Sequence, residues 1–366
     1  MPMRYSLSTR YFILTIFILT ITSLGGSHMA YAQKPLFKTD TLTIRFFGDI
    51  MMHTAQINAA HKGFSKYFLY IEDQIKDADI AVANMEFTLA GQPYTGYPAF
   101  SAPDEFAEYI ARSGFDVFLC ANNHIFDKGS NGAARTLDIY KKLGNKFGIR
   151  YTGLIGSQED MGEGICLNII RKGIRISFLN MTYGTNLGGT EHWPKVIYQS
   201  QTKLISNALE KAQKSSDMTI VLPHWGTEYE LLHSCAQKET AEWLTENGAD
   251  LIIGSHPHVA QDTETLNGVQ VAYSLGNLVS NMSAVNTQLG LMATVRVVRK
   301  DNGDIEVLPL ELKHLWCSRP GGLTDSFSVI PIEEFIGKRN LWLNAWDYDK
   351  MVETYDRVRK IHNNEH

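Results

Sequence analysis

Cysteine is scarce in this chain: four in 366 residues, at Cys120, Cys166, Cys235 and Cys317. Their wide spacing matches no zinc or redox motif, and so few in so long a chain exclude a disulfide-built scaffold. Cys120 lies within the apolar run 115–121, so it reads as a small buried hydrophobe rather than half of a bridge. One disulfide stays open if the chain is exported. Long Lys/Arg runs are also missing. With 34 basic against 39 acidic residues and a net charge of -5, the chain offers no nucleic-acid groove. The negative charge is small and scattered, and implies no cationic partner. Internal repeats and low-complexity linkers are absent. What remains is 44% hydrophobic, enough for a sizeable core.

The N-terminus carries a separate signal. Arg4 and Arg10 precede an apolar stretch from Tyr11 to Leu24, and Ala30-Tyr31-Ala32 follows. That is the basic region, apolar region and small-residue cleavage site of a secretory leader. The stretch is shorter than the roughly 20 apolar residues a membrane span needs. Residues 1–32 are therefore expected to be a signal peptide cleaved after Ala32, with export to the periplasm or cell envelope. The alternative is an uncleaved anchor, the sole expected membrane contact. The folded part begins after it.

From Thr41 onward, short β-rich runs alternate with helical patterns. Strands are expected at 42–47, 80–83, 115–121, 150–154, 174–179, 218–222, 251–253 and 269–274, several apolar almost throughout, as strands covered on both faces are. Helices are expected at 104–113, 133–143 (ending at Gly144), 202–213 and 236–246. This alternation predicts a layered α/β fold. Asn302-Gly303 predicts a hairpin within 291–312. The tail 325–366 is mostly helical in pattern, broken at Pro331 and Gly337. The expected division is a main domain at 41–318 and a mainly helical extension at 319–366.

Strand after strand ends in residues that bind metals. The first six such ends carry Gly48-Asp49, Asn84-Met85-Glu86, Asn122-Asn123-His124, His224-Trp225-Gly226, His256-Pro257-His258 and Gly276-Asn277. Carboxyl ends of strands line the ligand crevice of layered α/β folds. A lone histidine among the twelve would read as a surface or core residue. Histidines at several strand ends, with carboxylates at two others, do not. Two cations about 3.5–4 Å apart need a bridging carboxylate and further N or O ligands. Asp49 and Glu86 supply carboxylates, Asn123 a carbonyl oxygen. Mixed His, Asp and Asn ligation suits two divalent transition-metal ions, Zn, Mn or Fe, rather than calcium.

These segments, GDIMMH, NMEF, ANNH, PHWG and GSHPH, resemble those of the calcineurin-like metallophosphoesterases. More closely, the chain resembles the poly-gamma-glutamate capsule-synthesis (CapA-like) branch. That branch carries GD-x-M, N-x-E, ANNH-x-x-D-x-G, H-W-G-x-E-Y, G-x-H-P-H-V and SLGN, all present in order between Gly48 and Asn277. The resemblance implies an α/β, layered metallo-dependent phosphatase-like fold with two central β-sheets flanked by helices. It implies that Asp49, Glu86 and His258 bind one metal, that Glu86 bridges, and that Asn123, His224 and His256 bind the other. It implies that His124 is no ligand but an acid or donor over the substrate.

The chain also departs from the superfamily. Met51 stands where that superfamily has the His of Asp-x-His, and a thioether suits hard metals poorly. His53 is the natural substitute ligand. Glu86 replaces the usual Asp and lengthens that arm by one methylene. Beyond these, Glu228 reads as a ligand, a base or a surface charge. Asp127 reads as a turn or helix cap, or as support for the site. Asn277 reads as a backbone prop near the site. Trp225 and Tyr229 read as pocket wall or core, and His192-Trp193 and Trp342/Trp346 as core.

Two functions follow. One is a metal-dependent hydrolase acting on a phosphoester or gamma-glutamyl polymer, with His124 and Glu228 as its acid–base residues. The other is a non-catalytic envelope component that binds, exports or anchors an anionic polymer alongside the polymer-synthesis machinery. A degenerate scaffold, suggested by Met51 alone, is the third and blandest reading.

Overall fold

Alternation along the first strand sets the layering. A computed structural model describes residues 41–163, 165–188 and 192–363. The segment 1–32, expected to be a signal peptide, lies outside them. In the Leu42–Ile50 strand, Leu42, Ile44 and Phe46 share one buried cluster with Ile176, Phe178 and Ile220 of a second sheet. That cluster is the layer between two sheets. On the outer face of the first sheet, Ala81, Ala83 and Phe118 pack under Phe106 and Ile110 of the Asp104–Arg112 helix and Tyr140 of the Gly129–Phe147 helix. On the outer face of the second, Leu179, Val221 and Ile252 pack under Leu209 of Thr202–Ser215 and Leu244 of Cys235–Glu246. Two central sheets flanked by helices are thus the layered metallophosphatase-like arrangement the sequence predicts.

The first sheet has nine strands. Its main path runs Ser328–Pro331, Glu311–Ser318, Leu289–Arg299, Leu42–Ile50, Ile80–Met85, Val117–Leu119 and Arg150–Thr152. Asn277–Val279 and Ile305–Val307 pair off that path. The second sheet runs Thr263–Leu266, Val269–Ala272, Leu251–Ile253, Met218–His224, Ile174–Thr182 and Leu167–Arg171. The four strands from Leu42–Ile50 to Arg150–Thr152 are parallel. So are Ile174–Thr182, Met218–His224, Leu251–Ile253 and Val269–Ala272. Strands that carry metal-binding residues at their carboxyl ends therefore finish on the same side of each sheet.

Several expected elements differ in detail. The helix ending at Gly144 instead runs on to Phe147 and stops at Gly148, which takes the left-handed φ of 80°. Residues 150–154 divide into Arg150–Thr152 in the large sheet and Leu154–Ile155, which pairs with Lys195–Val196. The predicted hairpin forms between Leu289–Arg299 and Ile305–Val307. All four cysteines are free, and Cys120 is buried as expected. Trp225 is buried, its indole N–H donating to the Tyr273 carbonyl at 2.9 Å. Trp342 is core, but Trp346 is 65% exposed and His192 is exposed, against the core reading of both.

The tail is mainly helical, as its pattern predicts, with one strand added. It first adds the edge strand Ser328–Pro331, paired with Glu311–Ser318. It then folds into the Ala345–His362 helix, whose Met351 and Val358 join the cluster between the sheets. Met351→Ala is accordingly expected to cost about 2–5 kcal/mol, as for large-to-small core changes. Urea unfolding would show a lower midpoint at unchanged slope. A midpoint like that of wild type would mean that the helix is not part of the cooperative core. Among the described residues, no helix is long and apolar enough to cross a membrane.

Candidate metal centre

The site begins with a close backbone approach. Gly48 lies against Gly276, where a Cβ would come within 2.0 Å of the Gly276 carbonyl oxygen. That approach lets Asp49 N–H donate to Gly276 O at 2.8 Å and sets Asp49 beside Asn277 in a parallel register. Next door, Glu86 N–H donates to Ile50 O at 2.9 Å, which places its side chain beside Asp49. Asn84 Nδ2 donates to Asp49 Oδ1 at 2.8 Å and holds that carboxylate in place.

The second sheet delivers the histidines. His224 ends the Met218–His224 strand and bridges to Ser255. The turn after Leu251–Ile253 then carries His256 and His258 at φ 100° and 58°, rare values for non-glycine residues. Such backbone costs about 1–3 kcal/mol per residue and persists where the surroundings enforce it. Here Ser255 N–H donates to Pro223 O, Tyr229 N–H to Pro257 O, and His256 N–H to Asp49 Oδ2. Strain of this kind clusters at functional sites.

Six of the seven expected ligands converge. Asp49, Glu86 and His258 bring ligand atoms within 4.8 Å of one another, and so do Glu86, His224 and His256. Glu86 belongs to both groups, as a bridging carboxylate must. Asn123 Oδ1 lies 2.8 Å from His224 Nε2. Glu86 Oε1 lies 3.6 Å from both His224 Nε2 and His258 Nε2. That is too long for a hydrogen bond, and two metal–ligand bonds of about 2 Å each would span it.

His53 is the seventh, and it joins none of these groups. The strand ends at Ile50, and His53 caps the Thr54–Ala59 helix, reciprocally bonded with Gln56. Its Nδ1 also accepts from Asn281 N–H at 3.2 Å. Burial, foremost, holds its imidazole down at about 4. Glu228 is exposed and forms a third group with His256 and His258.

Charge and hydrogen bonding support cation ligation. Both Glu86 oxygens and His256 Nδ1 are buried with no hydrogen-bond partner. Buried carboxylates are otherwise paired or bound to metals. Burial, then the Asp49 charge, pushes the Glu86 carboxyl well above its usual range. Burial, then neighbouring histidines, pushes His224 well below its own and His256 to about 3. The imidazoles therefore stay neutral, the form that ligates metals. One further carboxylate, two nitrogens and an amide oxygen complete a donor set suited to divalent transition metals.

His124 stands beside this group without joining it. Its Nδ1 lies 2.7 Å from Asp127 Oδ2, and both side chains are buried. Asp127 also accepts from Phe100 N–H at 2.8 Å, and the Phe100 ring meets His124 edge-on. Asp127 thus supports the site rather than capping a helix; Lys128 is the N-cap there. Asn277 Oδ1 contacts His258 Nδ1 at 3.1 Å, so Asn277 touches the site directly. Three contributors escaped the sequence reading: Asn84 on Asp49, Asn186 against Asn123 and His124, and Tyr183, whose ring lies 4.5 Å from that of His256. Asn84 sat in a marked cluster; Tyr183 and Asn186 follow a strand end that carries neither a histidine nor a carboxylate.

The chain matches the family described as "Bacterial capsule synthesis protein PGA_cap" over residues 43–282. It is 27% identical over 296 residues to the PGA biosynthesis protein CapA of Bacillus subtilis, covering 77% of this chain and 75% of that one. It is 28% identical over 291 residues to the capsule biosynthesis protein CapA of Bacillus anthracis, covering 75% and 69%. A Staphylococcus aureus structure described as a 5'-nucleotidase aligns with TM-score 0.50 and 13% identity. That alignment covers 74% of this chain and 54% of that one, about half the nucleotidase's length, and the likeness is one of fold. With two thirds of its length under the family's pattern, the chain belongs to the bacterial capsule synthesis (PGA_cap) family.

Proposed function

We propose that this chain is an exported, metal-dependent hydrolase of capsule synthesis, with two divalent transition-metal ions acting on a phosphoester or a gamma-glutamyl polymer. One observation carries the reading: Glu86, buried with both oxygens unpartnered, lies between two overlapping ligand groups. In this reading Asp49, Glu86 and His258 hold one ion, Asn123, His224 and His256 the other, and Glu86 both. Such ions supply Lewis acidity, polarising the attacked group and making a coordinated water acidic near neutral pH. The protein's own residues do the rest. Asp127 fixes the His124 ring through Nδ1, which leaves Nε2 to give the leaving oxygen its proton. Asn84 and Asn277 hold Asp49 and His258 in their ligand orientations. Tyr183 and the exposed Glu228 stand beside the histidines, placed to meet substrate.

A second reading has its own support. The two CapA relatives are described by biosynthesis, not hydrolysis. A component that binds or anchors the polymer within the envelope, beside the synthesis machinery, suits those descriptions.

Elemental analysis of the exported form separates the readings. About two metal equivalents are expected in wild type, in line with a bridged pair, and a clear loss in His256→Ala. A protein that stays metal-free after reconstitution with zinc or manganese would leave only the polymer-binding role. A metal-loaded protein inert toward phosphoesters and gamma-glutamyl amides would do the same.

A further inference from the structure

Three cations converge on one loop, residues 280–288, and their fixed partners there are all neutral. Arg319 Nη2 donates to the Met282 carbonyl and Lys350 Nζ to Gln288 Oε1. Arg357 donates to Asn286 Oδ1 through Nε at 3.0 Å and Nη2 at 2.8 Å. None of the three pairs with a carboxylate among the described residues. Elsewhere Arg135, Arg299 and Arg339 do, with Asp104, Asp217 and Asp349. The nearby Asp347 is buried and its oxygen already accepts from Ser318 Oγ at 2.7 Å. The three charges also act on one another: after burial, Arg319 and then Arg357 depress the Lys350 ammonium, with Asp347 opposing. A chain of net charge -5 thus keeps a cationic strip whose hydrogen-bond partners are neutral.

The same loop packs against a neighbour of the candidate metal centre. Asn277, just before it, touches His258 and donates to Thr287 O within it. Asn281 N–H donates to His53 Nδ1. One loop therefore carries the strip and packs against Asn277, which touches His258. The three residues lie outside the stretch that matches the family.

We propose that Arg319, Lys350 and Arg357 form a docking strip for a flexible polycarboxylate chain, a gamma-glutamyl polymer, and lead it along residues 280–288 toward the metal centre. The inference rests on the reading above for what lies at the end of the strip. Arginine forks pair with carboxylates in two-pronged fashion. Charges strung along a loop match a ligand whose charges repeat along a chain.

The test is binding of fluorescein-labelled poly-gamma-glutamate to the whole exported chain, followed by anisotropy. The combined change Arg319→Gln, Lys350→Gln and Arg357→Gln is expected to weaken binding roughly tenfold, since exposed charge contacts each contribute a few-fold. Wild-type binding is expected to fall with added salt. A variant with Arg319→Lys and Arg357→Lys, which keeps the charges, is expected to retain most of the binding. The inference is overturned if the Gln variant binds like wild type, or if the Lys variant loses as much as the Gln variant. Equally tight binding of an oligonucleotide of the same charge would overturn it too. Metal content of the same samples is read separately. Metal-free protein that still needs the three cations to bind polymer would sink the hydrolase reading and leave the docking strip standing.

Discussion

Chelation is expected to lower the melting temperature of the wild-type protein by on the order of 10 °C and to change Glu86→Gln far less. The argument begins with an isolated buried charge. Glu86 is fully buried, and neither oxygen has a hydrogen-bond partner. An uncompensated buried carboxylate costs several kcal/mol in a folded protein. Bound cations remove that cost and stabilise the native state by about 4 kcal/mol at a thousandfold excess over Kd. Without them the carboxylate must take up a proton or remain a burden. Glutamine keeps the shape and drops the charge, so the chelated variant is expected to melt at or above the chelated wild type.

The pH dependence of the chelated proteins adds a sign. Glu86 binds its proton more tightly folded than unfolded, because burial and then Asp49 raise its range. The folded state thus holds more protons than the unfolded one, and stability falls as pH rises above 4.5, the unfolded value. His224 and His256 act oppositely, since burial keeps them neutral. Their contribution is lost as pH falls below 6.5 and is flat above it. Burial raises Asp116, Asp250 and Asp347 as well, so any fall above that pH is shared, and the part that belongs to Glu86 is the part expected to vanish in Glu86→Gln. Equal responses to chelation in the two proteins would remove Glu86 from the metal centre.

The convergence of the site was legible because it follows from strand direction. Parallel strands finish on one side, so Asp49, Glu86, Asn123, His224, His256 and His258 needed only correct strand ends to be brought together. His53 shows where that logic stops. The strand leaves the sheet after Ile50, and a reciprocal cap with Gln56 turns His53 aside. Residue spacing along a chain cannot reveal a turn made by a partner three residues on. Asn186 and Tyr183 were illegible for a related reason: they follow a strand whose end carries neither a histidine nor a carboxylate to mark it. The tail was read as helical because its periodicity is helical from Ala345 onward. The four residues Ser328–Pro331 are too few to show an alternating pattern, and it is the neighbouring Glu311–Ser318 edge that recruits them as a strand.

On the proposed hydrolase reading, Asp127→Asn is expected to cost about 10²–10³ in kcat on the phosphoester or gamma-glutamyl substrate cleaved, and His124→Ala about 10²–10⁴, the range for one general acid–base group. Asp127 is too far along this chain of contacts to act on substrate itself; it is a positioning residue, fixing His124 through the 2.7 Å contact at Nδ1. An amide in its place can present the wrong partner to that nitrogen and turn the ring. Two readouts separate this from general damage, because Asp127 also holds the Phe100 backbone. KM is expected to stay near the wild-type value while kcat falls, since the loss is felt in the transition state. The double change is expected to be no slower than His124→Ala alone, because residues that act as a unit do not add. If the Asp127→Asn loss instead multiplies onto that of His124→Ala, Asp127 serves the fold around Phe100 and not the proton on His124.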